Sequence, residues 1–169
     1  MTNEPRADAG SYAAIRVRLA TAADAPRVIA LVNAAFTVET FVEGTRIDEQ
    51  RLAEMMRDGN LLVAQDGSGR IAAVVYVEVR GTRGYFGMLA VDPAQQGAGY
   101  GRKMVEAAEE FCRDRGCEAI DITVLSLRPE LTPFYRKLGY VETGTDAHLS
   151  IPLKPGYECH AILMSKRLV

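Results

Sequence analysis

Residues 89–103 read LAVDPAQQGAGYGRK and join an apolar segment to a helical pattern through three glycines, Gly97, Gly99 and Gly101. A glycine within a helix destabilises it by roughly 0.5–1 kcal/mol relative to alanine, so three of them in five residues need a reason beyond folding. Glycines remove the Cβ atoms that keep a ligand away from the backbone, and the first N–H groups of a helix have no partner within it. The stretch therefore predicts a strand-to-helix loop that holds an anion.

The charges and spacing of this loop narrow the class of anion. Arg102 and Lys103 place two positive charges beside the amides, which suits a diphosphate better than a single carboxylate. A Walker A loop does not fit, because Arg102, Lys103 and Met104 stand where it needs Gly-Lys-Ser/Thr. A dinucleotide-binding loop would need glycine at position 102, although Asp121 could serve as its ribose-binding acid. A dinucleotide-dependent oxidoreductase therefore stays as an alternative.

The pattern around the loop predicts a mixed α+β fold. Glycine-containing turns at 66–69 and 81–84 join three consecutive strands into an antiparallel meander, and a long amphipathic helix follows. Predicted strands cover 15–19, 61–65, 71–79, 84–91, 119–125, 140–143 and 159–166, and predicted helices cover 21–36, 48–57, 99–115 and 129–138. Because a crossover helix joins the meander to the later strands, we expect one sheet with helices on both faces.

Composition and charge limit the class of protein. Of 169 residues, 48% are apolar and 25% are charged, as is typical of a single globular domain. Residues 1–14 are interpreted as a flexible N-terminal tail without a secretory signal, and residues 15–169 as one domain. A formal charge of −2 argues against nucleic acid or an anionic membrane as the main partner, and no apolar run approaches the roughly 18 residues of a membrane span. We expect a cytoplasmic protein.

The cysteines and histidines predict neither a disulfide framework nor a metal site. Cys112, Cys117 and Cys159 are an odd number without metal-ligand spacing, and His148 and His160 are the only imidazoles. Reduced thiols are expected. A cysteine acyl-enzyme is disfavoured, because neither Cys112 nor Cys117 has an adjacent histidine or a helix N-terminus to activate it.

Two motifs lie on either side of the long predicted helix. The first is Gln96-Gly97-Ala98-Gly99-Tyr100-Gly101, directly after Leu89-Ala90-Val91-Asp92-Pro93, and the second is Pro133-Phe134-Tyr135-Arg136-Lys137-Leu138-Gly139-Tyr140. The first resembles the Gln/Arg-x-x-Gly-x-Gly/Ala signature of the GNAT superfamily of acyl-CoA-dependent N-acetyltransferases. The second resembles that family's tyrosine-bearing helix, which ends in Gly-Phe/Tyr. The resemblance implies a mostly antiparallel sheet whose two central strands splay apart.

The resemblance also implies acetyl-CoA as the acyl donor and no metal. Main-chain groups of Leu89, Ala90 and Val91 would pair with the pantetheine arm as though it were another strand. The loop amides would hold the pyrophosphate, so the expected residues there are Gln96, Gly97, Ala98, Gly99, Tyr100, Gly101 and Arg102. Arg128 stands where the second motif often has asparagine. It could reach a phosphate or the adenine ribose, or be a surface charge.

The implied reaction is direct transfer of the acetyl group to a primary amine of a small molecule, peptide or protein. Tyr135 would be the general acid that protonates the departing thiolate, and its alternative role is packing. The glutamate that acts as general base in some relatives is absent, because Tyr85 stands at that position. Glu78, on the neighbouring strand, is the candidate base, and a solvated strand face is its alternative.

Acceptor-site residues are expected in two variable loops. Glu39 and Glu43 lie between the first two helices, and Asp146 and His148 precede the last strand; each could bind the acceptor or be a surface charge. His160 is expected to be a packed or edge histidine on the last strand rather than a catalytic one. Because the usual carboxylate base is missing, a non-catalytic acyl-CoA-binding regulatory module stays as an alternative function. The acceptor's identity does not follow from these loops, and the resemblance leaves a homodimer open.

Overall fold

A computed structural model describes residues 15–169, so the predicted tail at 1–14 lies outside the described residues. The strands are β1 (Arg16–Leu19), β2 (Asn60–Gln65), β3 (Ile71–Arg80), β4 (Arg83–Val91), β5 (Ala119–Leu125), β6 (Val141–Asp146) and β7 (Ala161–Arg167). The α-helices are α1 (Ala25–Ala35), α2 (Glu49–Asp58), α3 (Tyr100–Arg113) and α4 (Leu131–Lys137). The order of elements along the chain is the predicted one.

The seven strands form one sheet in the order β1-β2-β3-β4-β5-β7-β6. The meander β1 to β4 is antiparallel, and so are the pairs β5–β7 and β7–β6. Only the central pair β4–β5 is parallel among these strands, because α3 carries the chain back to the starting edge between them. This arrangement confirms the predicted fold class.

The centre of the sheet is buried on both faces. Along β3, Val75 and Val77 pack with α3 and α4, whereas Val74 and Tyr76 pack with α1 and α2. Strand side chains alternate between faces, so a strand covered on both sides reads as a continuous apolar run, as 71–77 does. The helices therefore lie on both faces, as predicted.

Element boundaries differ from the prediction at a few ends. The helix predicted over 21–36 starts as a separate single turn at 22–24, where the Thr21 N–H donates to the Asp24 carboxylate at 2.7 Å, and α1 follows. The prediction that His160 lies on the last strand is wrong. His160 is exposed and directly precedes β7: its carbonyl accepts from the Ser126 N–H at 2.9 Å, but its own N–H donates to the Ser126 hydroxyl oxygen at 2.9 Å and not to a main-chain carbonyl.

A buried ion pair ties α3 to the far side of the sheet. The Glu109 carboxylate is almost fully buried and accepts from Lys166 Nζ on β7 at 2.7 Å. The Tyr140 hydroxyl, just before β6, donates to the same carboxylate at 3.4 Å. A buried charge without partners destabilises a fold strongly, so these groups hold α3, β7 and the start of β6 together.

Two negative findings and the state of the cysteines concern residues 15–169. No helix of residues 15–169 is long and apolar enough to cross a membrane. In the same part of the chain, no group of three or more His, Cys, Asp or Glu side chains could hold a metal ion. The cysteines at 112, 117 and 159 are free thiols, and burial raises the pKa of Cys112 to about 12.

Gly84 lies where β4 and β5 are still paired, and a Cβ there would overlap Cys112 Sγ on α3. We expect Gly84→Ala to destabilise the protein by about 1–3 kcal/mol, because overpacking displaces the helix from the sheet. Gly144→Ala on β6 is the matched control, since a Cβ there meets no atom within 4 Å. Urea unfolding of both variants measures the difference. Equal midpoints for the two would contradict this packing.

Candidate active site

The groove at the centre of the protein exists because β4 and β5 separate. Their pairing covers only Arg83–Ala119, Gly84–Ile120 and Tyr85–Asp121. Beyond these pairs the two strands diverge toward their carboxyl ends and leave a cavity of about 500 Å³. Its lining comes from the diverging strands, the glycine loop, the start of α3 and α4, and it includes Phe86, Leu89, Val91, Gln96, Gly97, Gly99, Gly101, Arg102, Val124, Arg128 and Tyr135.

Strand β4 carries a bulge on the groove wall. Val74 pairs with Ala90 and Tyr76 pairs with Gly87, so β4 has one residue more than β3 over this stretch. Within it, Met88 has a φ of +51°, a left-handed conformation that is uncommon for residues other than glycine. A bulge interrupts the ladder of main-chain hydrogen bonds. The wall formed by 87–91 therefore offers main-chain groups that are not all used within the sheet.

The glycine loop ends in an open helix N-terminus, as predicted. Gly97 and Gly99 have φ values of +87° and +84°, which residues with a Cβ rarely adopt. The first main-chain hydrogen bond of α3 runs from the Lys103 N–H to the Gly99 carbonyl at 3.1 Å. The amides before Lys103 in this turn therefore have no partner within the helix and are free to donate to a ligand.

The arginines predicted to bind the cofactor are held by glutamates. Arg102 is exposed and its Nε contacts Glu106 at 3.2 Å. Arg128 lies at the α4 end of the groove and donates to Glu39 at 2.8 Å and to Glu130 at 2.6 Å. Both Nη groups of Arg102 and the second Nη group of Arg128 have no acceptor within residues 15–169, so these side chains keep donors for a ligand in the groove beside those of the loop's main chain.

Glu39 is the functional candidate whose placement the sequence did not indicate. Its side chain is only 3% exposed and accepts from Arg46 and from Arg128, each at 2.8 Å. The expectation of a surface charge is wrong for Glu39, because two guanidinium groups compensate its burial; Glu43, four residues on, is exposed. The partners lie 7 and 89 residues away, and no local pattern reveals the second one.

Tyr135 borders the groove among aromatic rings. Its ring lies 6.0 Å from Phe86, 5.0 Å from Phe134 and 5.9 Å from Tyr140, measured between centroids. The Tyr135 hydroxyl has no hydrogen-bond partner within residues 15–169. Every fully buried side-chain oxygen or nitrogen in this part of the chain does have a partner, so the Tyr135 hydroxyl is not fully buried. Because Tyr135 lines the groove, we infer that its hydroxyl opens into the groove. Burial raises the pKa of Tyr135 to about 12. The phenol is accordingly protonated at neutral pH and able to donate a proton.

A second cavity of about 410 Å³ adjoins the groove. The two share Arg46, Gly87 and Met88, so the bulge of β4 lies where they meet. The second cavity is lined by the α1–α2 loop, α2, the ends of β3 and β4 and the segment 150–152. Asp146 and His148 line neither cavity: Asp146 ends β6, and its carboxylate accepts from the exposed His148 N–H at 2.9 Å.

Glu78 lies in this second cavity and not in the groove with Tyr135. Its carboxylate accepts from the Tyr76 hydroxyl and from Arg80 Nε, both at 2.5 Å. Burial raises the pKa of Glu78, but the hydrogen bonds from Tyr76 and Arg80 outweigh it and leave the pKa below the ordinary carboxyl value. Tyr85, which replaces the usual base, lines the same cavity with its ring 4.5 Å beneath the Arg80 guanidinium.

Solved structures of other acetyltransferases share this architecture. A solved structure of a GNAT superfamily phosphinothricin acetyltransferase from Sinorhizobium meliloti, in complex with AcCoA, superposes with a TM-score of 0.73. The two chains are 17% identical, and the match covers 91% of this chain and 88% of that one. This likeness establishes a shared fold.

Curated relatives are more similar in sequence. Glucosamine 6-phosphate N-acetyltransferase 1 of Oryza sativa subsp. japonica is 34% identical over 149 residues, which cover 82% of this chain and 88% of the relative. A mycothiol acetyltransferase of Propionibacterium freudenreichii subsp. shermanii is 30% identical over 140 residues, which cover 78% of this chain and 44% of the relative. The chain thus spans less than half the length of this second relative.

A family model described as an acetyltransferase (GNAT) domain matches residues 24–148, more than half of the chain. The matched range contains both motifs, the groove and most of the second cavity. The chain belongs to the GNAT acetyltransferase family and is an N-acetyltransferase.

Proposed function

We propose that acetyl-CoA lies in the groove between β4 and β5 and that its acetyl group passes directly to the primary amine of a small molecule in the second cavity. The observation that carries this proposal is the junction of the two cavities at Gly87 and Met88. A thioester in one cavity and an amine in the other would meet there. Holding two reactants in such a geometry supplies a large part of the rate.

The donor would be held mainly by main chain. Leu89, Ala90 and Val91 would pair with the pantetheine arm, which then takes the place of the strand that β5 no longer provides. The loop from Gln96 through Ala98 and Tyr100 to Arg102 would bind the pyrophosphate through its amides. Arg128 would border the cofactor at the α4 end of the groove, and its hydrogen bond to Glu39 would hold the Arg128 side chain in position.

Tyr135 would be the general acid. The amine nitrogen bonds to the thioester carbonyl carbon, the C–S bond then breaks, and the thiolate takes the proton of the Tyr135 hydroxyl. The phenolate is reprotonated from solvent once the products leave. The high pKa of Tyr135 keeps the phenol protonated before each turnover. The hydroxyl would donate its proton into the groove, which Tyr135 lines.

Glu78 would take the proton that the nitrogen loses after attack. A carboxylate with a lowered pKa stays ionised at neutral pH and attracts the ammonium form of the acceptor, but it is a weak base toward that ion. The ammonium ion therefore first releases one proton to solvent, and the neutral amine, which then has a free electron pair, attacks the thioester. The nitrogen becomes much more acidic once it has bonded to the carbonyl carbon, and Glu78 can accept its proton then. The proton would pass to Glu78 directly or through water.

The small-molecule acceptor and the cytoplasmic setting have separate support. The two curated relatives are named for glucosamine 6-phosphate and for mycothiol, both small molecules, and 410 Å³ is a typical size for a small-molecule cavity. The free thiols at 112, 117 and 159 suit a reducing compartment, and we therefore place the activity in the cytoplasm.

The phosphate loop can be tested by adding a side chain to it. We expect Gly99→Glu to abolish measurable acetyl-CoA binding in calorimetric titration, because a carboxylate and a Cβ would enter the anion site. Gly116→Glu is the matched control, since Gly116 has a nearly identical φ of +83° just beyond the opposite end of the same helix. Retained binding by Gly99→Glu would show that the anion lies elsewhere.

The acid can be tested by removing one hydroxyl. We expect Tyr135→Phe to lower kcat by about 10²-fold or more while the Kd for acetyl-CoA is nearly kept. Tyr140→Phe is the control, because its hydroxyl faces Glu109 and Tyr140 does not line the groove. Since the Tyr135 pKa is about 12, kcat of the wild type should show no loss of this acid up to about pH 10. An unchanged kcat in Tyr135→Phe would leave packing as its role.

The base can be tested through pH dependence. We expect Glu78→Gln to lower kcat by about 10²-fold at neutral pH, whereas Glu118→Gln, an exposed control, leaves it unchanged. Because the Glu78 pKa is lowered, its carboxylate is lost only as pH falls below the ordinary carboxyl range. The ratio of wild-type to variant kcat should therefore stay constant from about pH 8 to about pH 5. A ratio near one throughout would exclude Glu78 as the base.

A further inference from the structure

The second cavity is unusually rich in arginine. Its lining contains Arg46, Arg51 and Arg80 against two acidic residues, Asp58 and Glu78. The three arginines come from three different elements: the loop before α2, α2 itself and the end of β3. Folding alone does not require three like charges around one cavity, since they repel each other wherever solvent screening is incomplete.

The three guanidinium groups differ in how completely the fold uses them. Arg46 is already used by the fold, because it donates to buried Glu39 at 2.8 Å and its guanidinium stacks on the Phe36 ring at 4.5 Å. Arg51 makes one long contact, to Glu54 at 3.4 Å, and its side chain is 57% exposed.

Two of the donor groups of Arg80 make no hydrogen bond within residues 15–169. Its Nε bonds Glu78, and its guanidinium lies over the Tyr85 ring, but both Nη groups have no acceptor within residues 15–169. Its side chain is 59% exposed. Arg51 and Arg80 thus bring donors to the cavity that the described fold leaves unused.

Tyr85 lines the same cavity as all three arginines, and the Arg80 guanidinium lies 4.5 Å above its ring. Burial raises the pKa of Tyr85, the nearby Glu78 charge adds to that rise, and the positive charges of Arg80, Arg46 and Arg51 oppose it. Tyr85 itself lies two residues before Gly87, where the two cavities meet. The unused donors therefore lie around the same space that leads to the proposed transfer point.

We propose that the acceptor is an amine that also carries an anionic group, a phosphate or a carboxylate, and that Arg51 and Arg80 bind this group. The inference rests on the proposed function and adds the class of acceptor to it. The amine lies toward Gly87 and Met88, and the anion lies in the part of the cavity lined by α2 and the end of β3. Guanidinium forks match phosphate and carboxylate oxygens geometrically.

The same charges select against other amines. A polyamine or a lysine-rich peptide would bring further positive charges against three arginines, which disfavours its binding. A neutral amine would leave the donors of Arg51 and Arg80 without a new partner. Discrimination between acceptors should therefore appear as a preference for the anionic member of any matched pair.

The test compares kcat/KM for acetylation of matched amines by the full chain, with CoA thiol release as the signal. The pairs are glucosamine 6-phosphate with glucosamine, phosphoethanolamine with ethanolamine, and 4-aminobutyrate with butylamine. We expect the anionic member to be preferred by about tenfold or more in at least one pair, as for a charged hydrogen bond. A higher kcat/KM for the anionic amine in the phosphate pairs alone, or in the carboxylate pair alone, identifies which anionic group the site binds.

Variants assign that preference to residues. Arg51→Gln should lower kcat/KM for the preferred anionic amine by about tenfold while changing its neutral partner by no more than about twofold. Arg80→Gln also removes a hydrogen bond to Glu78, so turnover of both amines should fall, and the preference for the anionic amine over its neutral partner should fall by about a further tenfold. Arg16→Gln, on exposed β1, is the matched control and should change neither. The Kd for acetyl-CoA should be the same in all these variants, since neither arginine lines the groove.

The outcomes separate two kinds of failure. Equal or better turnover of the neutral amines, or an anionic preference that survives both substitutions, overturns the inference and leaves the proposed function standing. Absence of CoA release with every amine, while acetyl-CoA still binds, overturns the proposed function and the inference with it.

Discussion

The separation of β4 from β5 after three residue pairs is the constraint on which the site depends. Neighbouring parallel strands normally satisfy each other's main-chain groups, and a buried group left unpaired costs about 1–3 kcal/mol. Here the β5-facing edge of 86–91 is left without that partner and lines the groove instead. A ligand with an amide-bearing, extended arm would complete the ladder, and the groove is shaped for such a ligand.

The closed end of the groove lies next to the last paired residues of β4 and β5. Gly84 lets Cys112 on α3 approach the last paired positions, and Phe86 and Ile122 fill the space immediately beyond them. On the other face, the bulge at Met88 turns β4 at the junction of the two cavities. The same strand thus serves both cavities, and its irregularity lies where transfer is proposed to occur.

The Glu39 carboxylate connects these parts. Through Arg46 it fixes the loop that walls the second cavity, and through Arg128 it fixes the turn that precedes α4 and Tyr135. Because the carboxylate is buried, replacing one partner would leave a poorly compensated charge. The position of the proposed acid and the shape of the second cavity therefore depend on one ion-pair cluster.

The sequence predicted the fold and the glycine loop because both leave local patterns. The continuous apolar run of 71–77 indicates a strand that is covered on both faces, and the glycines at 97 and 99 indicate a loop that approaches a ligand. The two motifs then place the groove between them. Glu39 and the arginines of the second cavity leave no such pattern, since their contacts join residues far apart in the chain. For Tyr135 the sequence leaves an acid role and a packing role open, and only the assembled fold places the residue, with its accessible hydroxyl, at the groove.

Hydrogen–deuterium exchange of the full chain with and without acetyl-CoA tests the central claim most directly. If the cofactor completes the β4 edge and caps α3, amides in 87–91 and 97–102 should exchange more slowly with acetyl-CoA bound, whereas those of the exposed strand β6 should not change. Unchanged exchange in both segments under saturating acetyl-CoA would contradict binding between the separated strands.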